Sequence, residues 1–389
     1  MVHGCMKTFD FVLPTKVVYG IGAVARVAEE LKAAGGIKPL IVTDAGIRKA
    51  GIVDRVTKVL DEAGIAYEIF DGVEANPKDV NAEAGAAVAR AVGADCLLAV
   101  GGGSPIDCAK AIGVLLAHNA DKIKPYEGKT AATLPNPLLI TVPTTAGTGS
   151  ELTFSSVITD TKNRYKMTVK SPYTAANVAV CDPELTLTVP PSVTAATGVD
   201  ALTHAIEGFT ATCSEPIGDA VALYSSELIY NNLVRAVKHG DDLEARSAML
   251  MGSMLGGISF SHSDVAGVHC IAEALGSMYD LPHGTCNAIF LPYMMEYNMD
   301  YCKERYARVA TAMGYRWNTV EEGAQIAVDK VKQLTVDVEL PTFASLHVNP
   351  DDFAALAKMA YQNGSNPSNP RPMTVEDYIT VLKKVYEAK

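Results

Sequence analysis

The feature that most constrains this chain is a change of hydrophobic period near its middle. Before about residue 153, short apolar runs alternate with helical segments. Pro39-Leu-Ile-Val-Thr-Asp44, Ala66-Tyr-Glu-Ile-Phe70, Cys96-Leu-Leu-Ala-Val100 and Leu138-Leu-Ile-Thr-Val142 read as strands, with helices over 23–34, 51–64, 78–92 and 104–117. Strands alternating with helices predict a parallel, doubly wound α/β sheet. Residues 8–19 read as extended and β-branched, and 154–160, 165–170 and 178–181 as strands with no helices between them. After Pro190-Pro191 nearly everything has helical period: 200–212, 215–238, 241–258, 268–279, 287–312, 318–335, 351–362 and 374–388. The expectation is an α/β dinucleotide-binding domain over 1–189 and an all-helical domain over 190–389.

Composition enters as exclusion. The net charge of -11 leaves no basic excess to neutralise phosphates, so a sequence-independent nucleic-acid binder is not expected. The eight cysteines, at 5, 96, 108, 181, 213, 270, 286 and 302, form no C-x-x-C pair and sit in apolar runs. They read as reduced and buried, which fits a cytoplasmic protein. No basic n-region precedes an apolar core at the N-terminus, and no run of about 18 apolar residues occurs, so neither a signal peptide nor a membrane span is expected.

In the first half, Val100-Gly-Gly-Gly-Ser-Pro-Ile-Asp-Cys-Ala-Lys110 ends a strand, turns on three glycines and starts a helix. Ser104 suits the N-cap, Pro105 the first helical position and Asp107 the third. The free N–H groups and dipole of such a helix end favour a phosphate, although the run is not G-x-G-x-x-G. Pro143-Thr-Thr-Ala-Gly-Thr-Gly-Ser-Glu151 is a second loop of glycines and hydroxyls after a strand, at the edge where open α/β sheets bind ligands. Asp44 ends an early strand. It reads either as a helix N-cap or as an acceptor for an adenosine ribose, which would favour NAD over NADP.

In the second half, Gly198-Val-Asp-Ala-Leu-Thr-His-Ala-Ile-Glu207 reads as a helix start. Asp200 and His204 are four apart and share a helical face. His269 follows, and His283 falls on a loop in Leu281-Pro-His-Gly284. One carboxylate with up to three imidazoles suits a divalent transition metal.

These motifs, in this order, resemble the iron-containing (group III) alcohol dehydrogenases. The resemblance runs from Leu13-Pro-Thr-Lys-Val-Val-Tyr-Gly20 to Asn369-Pro-Arg371 and is most specific at Gly101–Asp107, Pro143–Glu151, Gly198–Glu207 and Tyr279–Gly284. It implies a Rossmann-like domain followed by a helical metal-binding domain, the architecture shared with dehydroquinate synthase. It implies one divalent metal on Asp200, His204, His269 and His283, Fe2+ in the name-giving members, and by its donor types the same set also suits Zn2+. It implies that Gly102, Gly103 and Ser104 hold the cofactor pyrophosphate, that Thr144 and Thr148 line the cleft, and that Asp44, Asn76 and Lys166 contact the nucleotide. Asp107, Thr145, Ser155 and Val157 complete the expected NAD-binding set. A homodimer or larger assembly is expected, with the β-branched N-terminal run as an intersubunit strand.

The chain departs from the family at two places. The position four residues after the third ligand, usually histidine, is Glu273, which could orient a ligand, relay a proton or coordinate the metal. Phe260-Ser-His-Ser-Asp-Val-Ala-Gly267 puts His262 and Asp264 where small or apolar residues are common. Glu273, His262 and Asp264 are therefore the expected catalytic-pocket residues, in a pocket polar enough for a diol, hydroxy-aldehyde or amine-bearing aldehyde. The expected activity is metal-dependent, NAD-linked alcohol dehydrogenase or aldehyde reductase on a small primary alcohol or diol. The alternatives are a polyol or hydroxy-acid dehydrogenase of the same superfamily, or a metal-dependent lyase using NAD transiently.

Overall fold

A computed structural model describes residues 8–388. The chain forms two compact units. One comprises Leu13–Thr145 and Gly149–Val189. The other comprises the described residues from Pro190 onward together with Ala146–Thr148 and the described residues up to Val12.

The first unit is built on β1 (Lys16–Tyr19), β2 (Pro39–Asp44), β3 (Glu68–Val73), β4 (Cys96–Gly101), β5 (Leu138–Pro143) and β8 (Val178–Cys181). They form one sheet in the order β1-β8-β5-β4-β2-β3, every neighbouring pair parallel. The sheet is covered on both faces, which is why its central strands are apolar at most positions. Leu40, Val42, Leu97 and Ala99 pack with the helices Asp79–Val92 and Gly103–Ala117 on one face. Ile41, Leu98, Val100, Ile140 and Val142 pack with Val27–Ala33 and Ile52–Glu62 on the other. β6 (Ser155–Asp160) and β7 (Tyr165–Lys170) form a separate antiparallel hairpin.

Chain order reverses direction across the sheet between β2 and β4. β3 lies on one side of β2, and β4 returns to the other. Ligands of open α/β sheets bind outside the strand C-termini at such a point.

The second unit is helical, with one core running through Pro191–Thr210, Pro216–Lys238, Leu243–His262, Gly267–Tyr279, His283–Ala312, Val320–Asp337, Phe353–Gln362 and Val375–Glu387. Two readings of the sequence shift here. The stretch Gly198–Glu207 lies inside a helix that begins at Pro191, where the second of two prolines supplies a pre-set φ at the first turn. His283 is the first residue of a 30-residue helix and not part of a loop. Of the extended run 8–19, only Lys16–Tyr19 pairs as a strand.

Six of the seven described cysteines are buried, Cys213 is exposed, and among the described residues no disulfide forms. Cys5 lies outside the described residues. Among the described residues, no helix is long and apolar enough to cross a membrane.

Candidate functional site

The helix Pro191–Thr210 carries Asp200 and His204 one turn apart, both buried. His269 comes from Gly267–Tyr279, and His283 from the first turn of His283–Ala312. One ligand atom from each of these four residues lies within 4.8 Å of the others. His204 Nε2 and His269 Nε2 are 2.9 Å apart, and His269 Nε2 is 4.0 Å from Asp200 Oδ1. A four-coordinate cation with bonds of about 2.1 Å sets its ligand atoms roughly 3.4 Å apart, so this donor set fits one small divalent ion. Oxygen plus imidazole donors suit Fe2+ and Zn2+ alike.

Burial pulls His204 down to about 4, with His269 adding to the effect against the opposing charges of Asp200 and Glu207. Its ring is therefore neutral near pH 7, as a metal ligand requires. For His269 burial also favours the neutral form. The bond and charge of Glu207, with Asp200 and Glu273 behind them, outweigh it and raise this histidine above its ordinary value.

Two residues that the sequence reading left without a role hold this cluster. Glu207 Oε2 accepts from His269 Nδ1 at 2.6 Å, which turns the Nε2 lone pair toward His204. The same carboxylate accepts the Ala266 and Val268 amides at 2.9 and 2.7 Å. The helix Gly267–Tyr279 has no side-chain cap of its own, so Glu207 caps it from another helix. Asn287 Nδ2 donates to Asp200 Oδ1 at 2.7 Å and lies 3.0 Å from His283 Nε2. Phe260 stacks on the His204 ring, with centroids 4.4 Å apart. Helical spacing carried the signal for both polar residues. Glu207 is three residues after His204, and Asn287 four after His283.

The expected pocket residues are engaged as follows. His262 Nδ1 faces the Ile258 carbonyl at 2.8 Å, its Nε2 faces that of Val12 at 2.9 Å, and its ring stacks on Phe11. The ring of His262, expected in the catalytic pocket, thus packs on the 11–12 segment. Asp264, expected in the same pocket, is also hydrogen-bonded. Its two carboxylate oxygens accept the Ser365 and Ser368 hydroxyls at 2.9 and 3.0 Å. Glu273 Oε2 accepts the Asn363 amide at 2.6 Å.

In the α/β unit, most of the expected cofactor residues gather at the C-terminal ends of adjacent strands. Asp44 ends β2, Asn76 follows β3, Gly102, Gly103 and Ser104 follow β4, and Thr144 and Thr145 follow β5. Asp44 Oδ1 accepts the Ile47 amide at 2.9 Å, so the N-cap reading of this residue holds. Lys166 Nζ donates to Asn76 Oδ1 at 2.9 Å. Gly101 has φ +151°, and a Cβ on Gly102 would stand 2.9 Å from Thr145 Oγ1, so the two loops meet where only glycine fits. Thr148 belongs to the helical unit, whose neighbouring Gly147 lies against Thr197.

The capping expectation for Ser104 and Asp107 is corrected. The helix starts at Gly103 with Gly102 at the N-cap and no side-chain cap. Asp107 instead accepts the Ser150 hydroxyl at 2.5 Å and the Val157 amide at 3.0 Å. Ser155 offers its carbonyl to Lys110 Nζ at 2.9 Å.

Comparison with known proteins matches this geometry to a family. Residues 14–183 match the family described as "Iron-containing alcohol dehydrogenase", and residues 194–386 match "Fe-containing alcohol dehydrogenase family, C-terminal". The chain belongs to the iron-containing alcohol dehydrogenase family. Its members are NAD-linked alcohol and aldehyde oxidoreductases, and this dehydrogenase has their activity class and their fold, an α/β part followed by a helical part. It is 38% identical over 98% of its length to a 1,3-propanediol dehydrogenase of Citrobacter freundii, covering 99% of that protein. It is 38% identical to a lactaldehyde reductase of Escherichia coli (strain K12), over 93% of this chain and 95% of that one. A crystal structure of sulfoacetaldehyde reductase from Bifidobacterium kashiwanohense in complex with NAD+ superposes with a TM-score of 0.89 at 28% identity, covering 98% of this chain and all of the other.

Proposed function

We propose that this dehydrogenase interconverts a small primary alcohol, diol or hydroxy-aldehyde with its oxidation or reduction partner, using NAD and one divalent metal, Fe2+ in preference to Zn2+. The observation that carries the reading is the convergence of Asp200, His204, His269 and His283 within 4.8 Å. When bound, the cation supplies Lewis-acid polarisation of the substrate oxygen and the nicotinamide exchanges the hydride.

The chain's own residues do the rest. Glu207 fixes the His269 tautomer so that Nε2 presents a lone pair. Asn287 orients Asp200 and steadies His283 through one amide nitrogen. Burial of Asp200, His204 and His269 excludes water, which strengthens every charge interaction at the cluster. Glu273 acts through position: it shares a helix face with His269 and holds Asn363. Polar groups on that face, and the names of the two relatives above, support a hydroxylated substrate.

Asp44, Asn76, Gly102, Gly103, Ser104, Thr144, Thr145 and Lys166 bind the dinucleotide, with Ser155 and Val157 shaping the hairpin beside it. Their support is the gathering of the loop residues around the strand reversal between β2 and β4. An acid at Asp44 disfavours the 2′-phosphate of NADP. The enzyme works in the cytoplasm, which the absence of a disulfide among the described cysteines supports. It assembles as a homodimer or larger, with the sheet-edge strand β1 as the contact.

The test is substrate oxidation and reduction by protein stripped of metal and then reloaded. Turnover that returns with a divalent ion supports the reading. Turnover unaffected by stripping sinks it. Light scattering of the eluting protein reads the assembly, and a monomer would remove that part.

A further inference from the structure

The α/β unit contains a buried lysine that the reaction does not use. Lys110 lies on the helix Gly103–Ala117, two turns beyond the glycine loop, with no exposed surface. Its ammonium donates to the carbonyls of Ser150, Ser155 and Thr153 at 2.6, 2.9 and 3.0 Å, and to the hydroxyls of Thr153 and Ser150 at 2.8 and 3.2 Å. A buried ammonium is costly unless it is paired and bonded on all sides, and a neutral side chain of the same length would fill the space at less cost. The position therefore calls for a reason beyond packing.

That reason lies in what the lysine ties together. Its helix begins at Gly103, at the first glycine loop, and the residues it gathers lie at the end of the second and just after it. The second loop is held at its start as well, since the Thr144 amide donates to the Gly101 carbonyl at 3.0 Å and Gly102 meets Thr145. One turn before Lys110, Asp107 binds the Ser150 hydroxyl and the Val157 amide, reaching the start of the hairpin. The two opposite charges, three residues apart on one helix face, thus clamp the far end of the second loop to the helix that starts at the first. Glu151, 2% exposed, is a second carboxyl near the ammonium.

We propose that Lys110 is a positioning residue for the dinucleotide: through the 150–155 turn it holds the second glycine loop in register with the first, so that both present their backbone to one cofactor. The proposal rests on the reading that these loops bind NAD. Lys110 touches no cofactor atom itself.

The experiment compares metal-loaded parent enzyme with Lys110→Met and with Leu60→Ala, a cavity variant in the core of the same unit. NADH affinity is read by fluorescence, together with KM and kcat for NADH and for the aldehyde. Lys110→Met is expected to raise the NADH Kd and KM at least about tenfold, the scale of one lost charged hydrogen bond. Saturating kcat and the aldehyde KM should stay within about threefold. Leu60→Ala is expected to lower the thermal midpoint with NADH affinity unchanged. An NADH KM within twofold of parent in Lys110→Met, or an equal rise in Leu60→Ala, overturns the proposal. If Lys110→Met does not fold, the triple variant Lys110→Met, Asp107→Asn, Glu151→Gln removes the stranded charges and must show the same rise, and an unchanged KM there overturns it too. Parent enzyme that binds no NADH would instead refute the cofactor reading beneath it.

Discussion

At the scale of single residues, one carboxylate does two tasks that are usually separate. Glu207 orients a histidine and caps the helix bearing it, so its loss should appear in metal affinity and in stability together. Glu207→Gln is expected to weaken metal binding about tenfold to a hundredfold in chelator competition, with a lower thermal midpoint even in metal-free protein. Unchanged affinity would reduce Glu207 to a cap. Glu151 offers a second test. Burial is the main influence and pushes its carboxyl up to about 7 from the ordinary 4.5. Above about 4.5 the unfolded chain ionises while the folded chain keeps the proton, so this group's contribution is present at low pH and is lost as pH rises to about 7. Glu151→Gln cannot ionise, and its stability relative to parent should therefore grow by up to roughly 3 kcal/mol between pH 4.5 and 7. Thermal midpoints at pH 5 and pH 8 check this, and an equal difference at both would contradict it. The four residues of the candidate metal cluster, and their order, were legible in the sequence, because oxygen and imidazole donors are few and the motifs are long. The engagement of His262 and Asp264 was not, because their partners Val12, Ser365 and Ser368 lie about 100 to 250 residues away along the chain.

At the scale of elements, hydrophobic period placed nearly every strand and helix, since the sheet is covered on both faces and the helices share one core. It misjudged starts. Apolar periodicity does not mark a first turn, so Pro191 and His283 were read as lying before their helices. Capping residues misled at Ser104, where the helix begins one residue earlier without a side-chain cap. Helix contacts also support the metal cluster directly. A Cβ on Gly208 would stand 2.6 Å from Ser259 Oγ and 3.1 Å from the Phe260 amide nitrogen. Gly208→Ala must therefore push the helix Leu243–His262 away at the residue that stacks on His204. The expected cost is about 1–3 kcal/mol, read as a lower thermal midpoint, with weaker metal binding alongside it. A variant as stable as parent would show that this contact yields freely.

At the scale of the whole molecule, the proposed function gives each unit one half of the chemistry, so the metal should stabilise only the helical one. A cation bound to the folded state alone adds RT ln(1 + [L]/Kd), about 4 kcal/mol at a thousandfold excess over Kd. Adding metal to stripped protein should therefore protect amides of the helices carrying Asp200, His269 and His283 from hydrogen exchange, with little change in β2, β4 and β5. Equal protection everywhere would mean that the ion acts elsewhere. The central claim is that these four residues hold the ion that makes the enzyme work. Its most direct test is NADH oxidation with propanal, glycolaldehyde and lactaldehyde by metal-stripped protein, reloaded without oxygen with Fe2+, Zn2+ or nothing, beside His269→Ala. The account predicts turnover only with metal, highest on the hydroxylated aldehydes, and none in His269→Ala although that variant still binds NADH. Turnover without metal, or in His269→Ala, would contradict it.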